Sequence, residues 1–179
     1  MDLFFLDETG FSPCLPPTYT WGRRGQRPAV PHESPQGQRV NVLAALAAPD
    51  SETDSEALPP PLTWWATDRP WKGEDLVAFL RHTLPPDRGV PRVAVLDNAS
   101  IHRGVKVREA RPGLRKQNLH LWYVPAYSPE LNDIEHTFRQ AKHEAMPQRL
   151  LPHARALTAA VHACFGDLQD KLVSLHLSM

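Results

Sequence analysis

Two short apolar segments of this 179-residue chain each lead into an aspartate, and they limit the possible folds more than any other feature. Leu3 to Leu6 precedes Asp7, and Val93 to Leu96 precedes Asp97. Both runs are too short for buried helices, so they predict buried strands. Ligand crevices in open α/β sheets form at the carboxyl ends of strands. The two aspartates are therefore the first candidates for a functional site.

The remaining periodicity predicts a mixed sheet flanked by helices. Further strands are expected at Val40 to Ala47, Leu62 to Thr67 and Leu119 to Val124. Helical spacing is found at Leu76 to Leu84, from Asn132 to the residue before Pro147, and from Leu157 to Leu175. The basic stretch from Arg103 to Lys116 is expected to form a helix or a helix pair broken at Pro112-Gly113. The order predicts an α/β core with a mixed five-stranded sheet over residues 1–150. Residues 151–179 are expected to form a C-terminal helix that packs on this core or on a partner.

Composition sets the protein class. The chain has 41% hydrophobic and 22% charged residues, as globular proteins do, and its formal net charge is zero. DNA contacts would therefore depend on local basic patches rather than bulk charge. Two cysteines make no disulfide framework, and no apolar run reaches the roughly 18 residues of a membrane span. We expect a cytoplasmic protein with an acidic surface loop at residues 49–61.

A third acid, Glu135, lies on the polar face of the helix that begins near Asn132. Three carboxylates gathered at one point repel one another unless a cation neutralises them. Oxygen ligands select a hard ion, so Mg²⁺ is expected and Mn²⁺ should substitute. Two such ions, roughly 4 Å apart, stabilise both the attacking and the leaving oxygen at phosphorus. The acids therefore predict metal-dependent phosphodiester chemistry.

Each acid also has a structural explanation. Aspartate at a strand end often only forms a turn. Asn132 is a good helix cap, and Glu135 three residues later would complete a capping box. The sequence around the acids favours function over these explanations.

Three blocks surround the acids in order, FLDETGF at residues 5–11, VLDNASIH at 95–102 and VPAYSPELNDIE at 124–135. They resemble the catalytic blocks of mariner-superfamily DDE transposases, especially the bacterial insertion sequences of the 630 group. The resemblance implies a ribonuclease H-like fold, Mg²⁺ dependence, cleavage at transposon ends and insertion into a short target, commonly a TA dinucleotide. It also implies that Asp7, Asp97 and Glu135 are the catalytic, metal-binding triad.

The chain departs from that family at three points. Asp133 stands where the family usually has proline, and Phe138 where it often has tryptophan. An acid in the first helical turn suits the helix dipole, so the fold should tolerate Asp133. Family members usually carry an N-terminal helix-turn-helix domain, whereas Met1 here lies just before the first strand. A split-frame product, an excised domain or a remnant is expected.

Other residues are weaker candidates. Glu8, Asn98 and His102 accompany the acids and are candidates for orienting the metal ligands or for contacting DNA. Candidates for DNA binding are Arg23, Arg24 and Arg27 in a hairpin-like segment at residues 21–28, and Arg139 and Lys142, which share a helical face with Glu135. The alternative for the basic residues is an ordinary solvated surface, and His102 also suits a helix start.

The resulting interpretation is a transposase catalytic domain that performs strand cleavage and strand transfer on double-stranded DNA. A homodimer is expected because mariner relatives act as dimers. Two alternatives stay open: a ribonuclease H-like nuclease that only hydrolyses, and a catalytically silent remnant that binds DNA.

Overall fold

The computed structural model describes residues 1–13, 22–25, 39–48, 61–126, 128–146, 151 and 153–176. Within them five strands form one sheet: β1 Asp2–Phe11, β2 Val40–Ala47, β3 Leu62–Thr67, β4 Arg92–Leu96 and β5 Leu119–Tyr123. The strand order is β3-β2-β1-β4-β5. The first three strands pair antiparallel, and β4 and β5 run parallel to β1. The prediction of a mixed five-stranded α/β sheet is confirmed.

Helices cover both faces of the sheet. They are α1 Gly73–His82, α2 Ser100–Arg103, α3 Val105–Lys116, α4 Ile134–Gln140 and α5 Ala154–His176. A short 3₁₀ turn, Pro129–Leu131, precedes α4, and a π-helical turn, Ala141–Ala145, follows it. No helix among the described residues is both long and apolar enough to cross a bilayer.

Alternation along β1 divides the apolar residues into two cores. Phe4 and Leu6 pack with residues of α1 and α3 on one face, among them Leu76, Phe79, Val107 and Leu114. Phe5 and Phe11 point to the opposite face, where α4 and α5 supply Ile134, Phe138, Phe165 and Leu168. Because side chains alternate along a strand, every second residue of β1 faces the same core. Asp7 therefore belongs to the face covered by α4 and α5.

Helix α5 packs on the core as one of the two predicted arrangements. Leu157, Val161, Cys164 and Leu168 are buried, whereas Leu175 at the end of the predicted stripe is 60% exposed. Phe165 was not part of that stripe. It is fully buried, and its ring meets Phe11 edge to face with the ring centroids 5.9 Å apart. Burying one such side chain stabilises the fold by roughly 1.5–3 kcal/mol.

The basic stretch contains parts of two helices, but a break at Pro112-Gly113, one of the alternatives for it, is wrong. Helix α3 continues through Pro112, and the chain is interrupted earlier, at Gly104 between α2 and α3. Proline removes the hydrogen bond to the carbonyl of Arg108. Both Arg108 and Pro112 are exposed, so water can bind that carbonyl, while the opposite face of the helix packs on the core. Tertiary packing outweighs the cost of the proline.

Some predictions fall outside the described residues. These are the interior of the acidic segment at residues 49–60, Arg27 in the hairpin-like segment, and the helix stop at Pro147.

Candidate active site

Asp7 and Asp97 lie beside each other because of the register between β1 and β4. These parallel strands pair Phe5 with Val95, and each aspartate lies two residues further along its chain. The two-residue period of strands places both carboxylates on the same side of the sheet. Neighbouring strands are roughly 4.8 Å apart. Carboxylate oxygens of the two aspartates and a nitrogen of His102 accordingly lie within 4.8 Å of one another.

Glu135 reaches the same place from α4. An open cleft of about 410 Å³ is lined by Asp7, Asp97 and Glu135, together with Asn98, Val124, Pro125, Ala126, Ser128 and Asn132. The structure thus brings together three acids that are far apart in the sequence, around one cavity at the carboxyl edge of the sheet.

Asn132 attaches the start of α4 to β1. Its side chain is 2% exposed, and its Nδ2 donates a hydrogen bond of 3.1 Å to the carbonyl of Leu6, the residue before Asp7. The sequence suggested that this side chain caps the helix, and that interpretation is wrong. The cap residue is Asp133, which makes no side-chain cap hydrogen bond. A buried amide must find a partner, and here the partner is a distant strand.

Asp7 is buried in an electrostatically unfavourable position. Burial, assisted by the nearby carboxylates of Asp97 and Glu8, raises the pKa of its carboxyl to about 7. A hydrogen bond of 2.8 Å from the backbone N–H of Glu8 and the charge of His102 oppose this pKa shift only in part. The ionised form of Asp7 therefore lacks sufficient positive charge around it.

Asp97 is held on one side. Its Oδ1 accepts the backbone N–H of Ala99 at 2.8 Å and lies 2.5 Å from Nδ1 of His102. Because an ionised carboxylate only accepts hydrogen bonds, we assign the proton of that contact to Nδ1. The Asp97 side chain is 45% exposed and the His102 side chain is fully buried. One oxygen of Asp97 is thus bound to protein and the other is open.

His102 links Asp97 to Glu8. Its Nε2 lies 2.7 Å from Oε2 of Glu8, an ion-pair distance without the alignment of a good hydrogen bond. Burial lowers the pKa of His102, but the carboxylates of Glu8, Asp97 and Asp7 outweigh burial, and the pKa is raised. The hydroxyl of Tyr123 donates to the carbonyl of His102 at 2.7 Å. His102 therefore contacts both Asp97 and Glu8, and Tyr123 holds the backbone of His102.

Asn98 lines the same cleft as the three acids, and its side-chain amide binds the chain that follows β5. Its Nδ2 donates at 2.6 Å to the carbonyl of Val124, and the N–H of Val124 donates to the carbonyl of Leu96 at 3.0 Å. These bonds continue the β4–β5 pairing past the strand ends. Asn98 consequently fixes the wall of the cleft that Val124 forms.

The donor set fits a hard divalent cation. Both nitrogens of His102 face carboxylates, so the atoms left to bind a cation are oxygens of Asp7, Asp97 and Glu135. Oxygen-only sites prefer Mg²⁺ or Mn²⁺. The raised pKa of Asp7 indicates the same need, because a bound cation supplies the positive charge that the protein does not.

The basic candidates divide into two groups. Lys142 is half-buried beside the cleft: burial lowers its pKa, Glu135 and Asp7 oppose that effect, and its Nζ lies 5.8 Å from the ring centroid of Phe11. Arg139 is exposed, as are Arg23 and Arg24 in the short described segment 22–25. Lys142 is therefore electrostatically linked to the acids, through Glu135 and Asp7.

Sequence reasoning missed two residues of this site. Tyr123 ends β5, and a tyrosine at a strand end gives no signal of its own. Besides binding His102, its ring lies under the guanidinium groups of Arg103 and Arg111, at 5.0 and 4.9 Å from the centroid. Asn132 did carry a signal, since it lies in the block 124–135, but the signal was interpreted as a helix cap.

Residues 2–158 of the sequence match the family described as DDE superfamily endonuclease. The chain belongs to the DDE superfamily of endonucleases. No protein with a curated description matches it.

Solved structures show the same fold. The Mos1 mariner paired end complex with Mn has a TM-score of 0.60 at 15% identity, over 98% of this chain and 51% of that one. The Mos1 strand transfer complex has a TM-score of 0.58 at 13% identity, over 98% and 50%. The Mos1 transposase paired-end complex with left transposon end has a TM-score of 0.58 at 14% identity, over 92% and 47%. This DDE endonuclease chain therefore has the expected ribonuclease H-like fold and spans about half the length of these chains.

Proposed function

We propose that this chain is the catalytic domain of a transposase, which cuts DNA and joins the cut strand to a target. One observation carries the proposal: Asp7, Asp97 and Glu135, from three separate sequence blocks of a DDE endonuclease, line a single cleft. We assign these three residues as both the catalytic and the metal-binding groups. The similar fold of the Mos1 transposase complexes supports the proposal of a transposase domain.

The cofactor is Mg²⁺, for which Mn²⁺ can substitute. When bound, such ions activate the attacking oxygen and stabilise the leaving oxygen of the phosphodiester. The chain contributes fixed ligands: Asp7 lies within β1, Asp97 directly follows the paired strand β4, and Asn132 attaches the helix of Glu135 to β1. Positioning and charge stabilisation account for most of the catalysis of phosphoryl transfer, so the protein needs no covalent nucleophile.

Double-stranded DNA is the substrate, and basic residues around the cleft contact its phosphates. Lys142 lies nearest to the acids, and Arg139 extends the same helical region towards solvent. Arg23, Arg24 and Arg27 are further candidates. Helix α3 carries five basic residues against one acidic residue.

The three blocks favour the bacterial insertion sequences of the 630 group, with Asp133 and Phe138 as the departures already described. A homodimer on DNA, a cytoplasmic location, and a division into a core at residues 1–150 and a C-terminal helix at 151–179 complete the proposal.

A nicking assay tests the proposal. Supercoiled plasmid is incubated with the full chain and Mg²⁺ or Mn²⁺, and a labelled oligonucleotide with a free 3′-hydroxyl is added as a strand to be joined. We expect relaxed plasmid and joined product from the wild-type protein. Asp97→Asn should form neither, because the amide cannot supply the negative charge that holds the ions.

The matched control is Asp68→Asn, an exposed carboxylate far along the chain from the acids. It should cleave and join like the wild type. Cleavage without joining would identify a nuclease that only hydrolyses. Equal cleavage by Asp97→Asn and the wild type would refute the catalytic assignment, and inactivity of a folded wild-type chain would favour a silent DNA-binding remnant.

A further inference from the structure

We propose that His102 is a positioning residue that leaves only one oxygen of Asp97 open to the cleft, and that it thereby makes the site prefer Mg²⁺ to Ca²⁺. This inference rests on the proposed function, since it concerns the metal that the three acids bind. It adds a determinant of metal choice that lies outside the ligands themselves.

Hydrogen bonds within the protein occupy one carboxylate oxygen of Asp97. A carboxylate oxygen has two lone pairs. Both lone pairs of Oδ1 have a partner, because the N–H of Ala99 lies at 2.8 Å and Nδ1 of His102 at 2.5 Å. Only Oδ2 is left to face the cleft, so Asp97 is prepared to bind a cation through one oxygen.

Contacts of both its ring and its backbone hold His102 in place. Its side chain is fully buried, and its other ring nitrogen lies 2.7 Å from Oε2 of Glu8. Its backbone is held as well, because the carbonyl accepts the Tyr123 hydroxyl at 2.7 Å and the N–H donates to the carbonyl of Ala99 at 3.0 Å. The imidazole therefore cannot turn away from Asp97 without leaving Glu8.

Mg²⁺ and Ca²⁺ differ in how they bind carboxylate oxygens. Mg²⁺ requires near-octahedral geometry, retains several waters and takes few carboxylate oxygens. Ca²⁺ accepts six to eight oxygens in flexible geometry and often takes both oxygens of one carboxylate. Two-oxygen binding by Asp97 would need a lone pair of Oδ1, and therefore the loss of at least one of the bonds from Ala99 and His102. The fixed Asp97 therefore disfavours Ca²⁺ and suits Mg²⁺.

Two substitutions separate the contacts of His102. In His102→Asn the amide nitrogen can take the place of Nδ1 and keep the bond to Asp97, while the contact with Glu8 is lost. In His102→Gln the amide can take the place of Nε2 and keep the contact with Glu8, while the bond to Asp97 is lost. The two variants are both polar and differ by one methylene group.

The measurement is binding of Mg²⁺ and of Ca²⁺ to the full chain, by calorimetry or by the metal-induced rise in Tm, without DNA. Changes in the groups that orient a metal ligand typically alter metal affinity by roughly 10–100-fold. We expect the preference for Mg²⁺ over Ca²⁺ to fall roughly 10-fold or more in His102→Gln. It should stay close to wild type in His102→Asn.

The outcomes are distinguishable. A wild type that binds neither ion would refute the proposed function and this inference together. A wild type that prefers Mg²⁺, with His102→Gln unchanged or with both variants equally affected, would refute the role of His102 alone. If neither variant folds, Tyr123→Phe removes only the hydroxyl that holds the His102 carbonyl. An unaltered metal preference in that variant would overturn the inference, and a reduced preference would support it.

Discussion

Strand β1 carries two buried aspartates, one at its start and one in its middle, and the two have opposite surroundings. Asp2 is 9% exposed and Asp7 is 8% exposed. Both oxygens of Asp2 lie 3.1 Å from Nη2 of Arg88, which supplies the positive charge. Asp7 instead lies near two further carboxylates, Asp97 and Glu8, and its pKa is raised to about 7.

The comparison distinguishes a structural acid from a functional one in a single strand. A buried charge with an opposite charge beside it is a structural element whose loss destabilises the fold. A buried charge placed among like charges destabilises the fold unless something binds there. Asp7 thus indicates a ligand of positive charge, and Asp2 does not.

Removing the charge of Asp7 should produce the largest effect. We expect Asp7→Asn to lower metal-dependent nicking by about a thousand-fold or more, because metal ions contribute several kcal/mol to such transition states. Nicking of supercoiled plasmid measures this. Asp2→Asn, assayed at a temperature where it stays folded, is the control and should be active. An active Asp7→Asn variant would remove the distinction between the two aspartates.

The next effect is a pH dependence of stability in metal-free buffer. The pKa of Asp7 is about 7 in the folded protein and 3.8 for an ordinary solvated aspartate, so the folded state holds this proton more tightly than the unfolded state does. The free energy of unfolding should therefore fall by a few kcal/mol as pH rises from about 4 to 7. The raised pKa of His102 acts in the same direction.

Urea denaturation at several pH values measures this dependence. Asp7→Asn should flatten it, and its stability at pH 7 should exceed that of the metal-free wild type. A wild type and Asp7→Asn with parallel stability curves would show that Asp7 is already compensated. Saturating Mg²⁺ should stabilise the wild type and leave the variant unchanged.

The third prediction concerns Asp2, the aspartate of β1 that is paired with Arg88. Asp2→Asn should lower the free energy of unfolding by roughly 1–3 kcal/mol, less than for a fully buried pair, because Arg88 is partly exposed. Denaturation midpoints at constant pH measure this. Asp75→Asn removes an ion pair whose arginine, Arg69, is 51% exposed, and it should cost less. The reverse order of the two losses would contradict the structural role of Asp2.

The smallest effect concerns the attachment of α4 beside Asp7. Asn132→Ala deletes the buried hydrogen bond to Leu6 and should cost roughly 1–2 kcal/mol of stability. It should also weaken Mg²⁺ binding, since Glu135 is then less firmly placed. The control is Asn41→Ala, which removes an exposed hydrogen bond from the side-chain amide of Asn41 to the carbonyl of Arg69. Equal Mg²⁺ affinity in Asn132→Ala and the wild type would leave Asn132 a purely structural role.

The sheet and its acidic edge could be predicted because they depend on local patterns. Short apolar runs locate β1 and β4, and parallel strand ends meet at one edge. The direction of the Asn132 amide was not predictable in this way, because the choice between capping and a bond to Leu6 depends on burial. The continuation of α3 through Pro112 likewise depends on packing that the local sequence does not record. The contact of Tyr123 with His102 joins residues 21 positions apart.

The three ligands are attached in unequal ways, and this has an evolutionary consequence. The distance between Asp7 and Asp97 is set by the spacing of the paired strands β1 and β4, which substitutions on the surface hardly alter. Glu135 arrives through the connection between β5 and α4, so lengthening or shortening that connection moves one ligand and spares the other two. Insertions and deletions between Val124 and Asn132 are thus a means by which related sequences can retune the spacing of the bound ions while the framework stays the same.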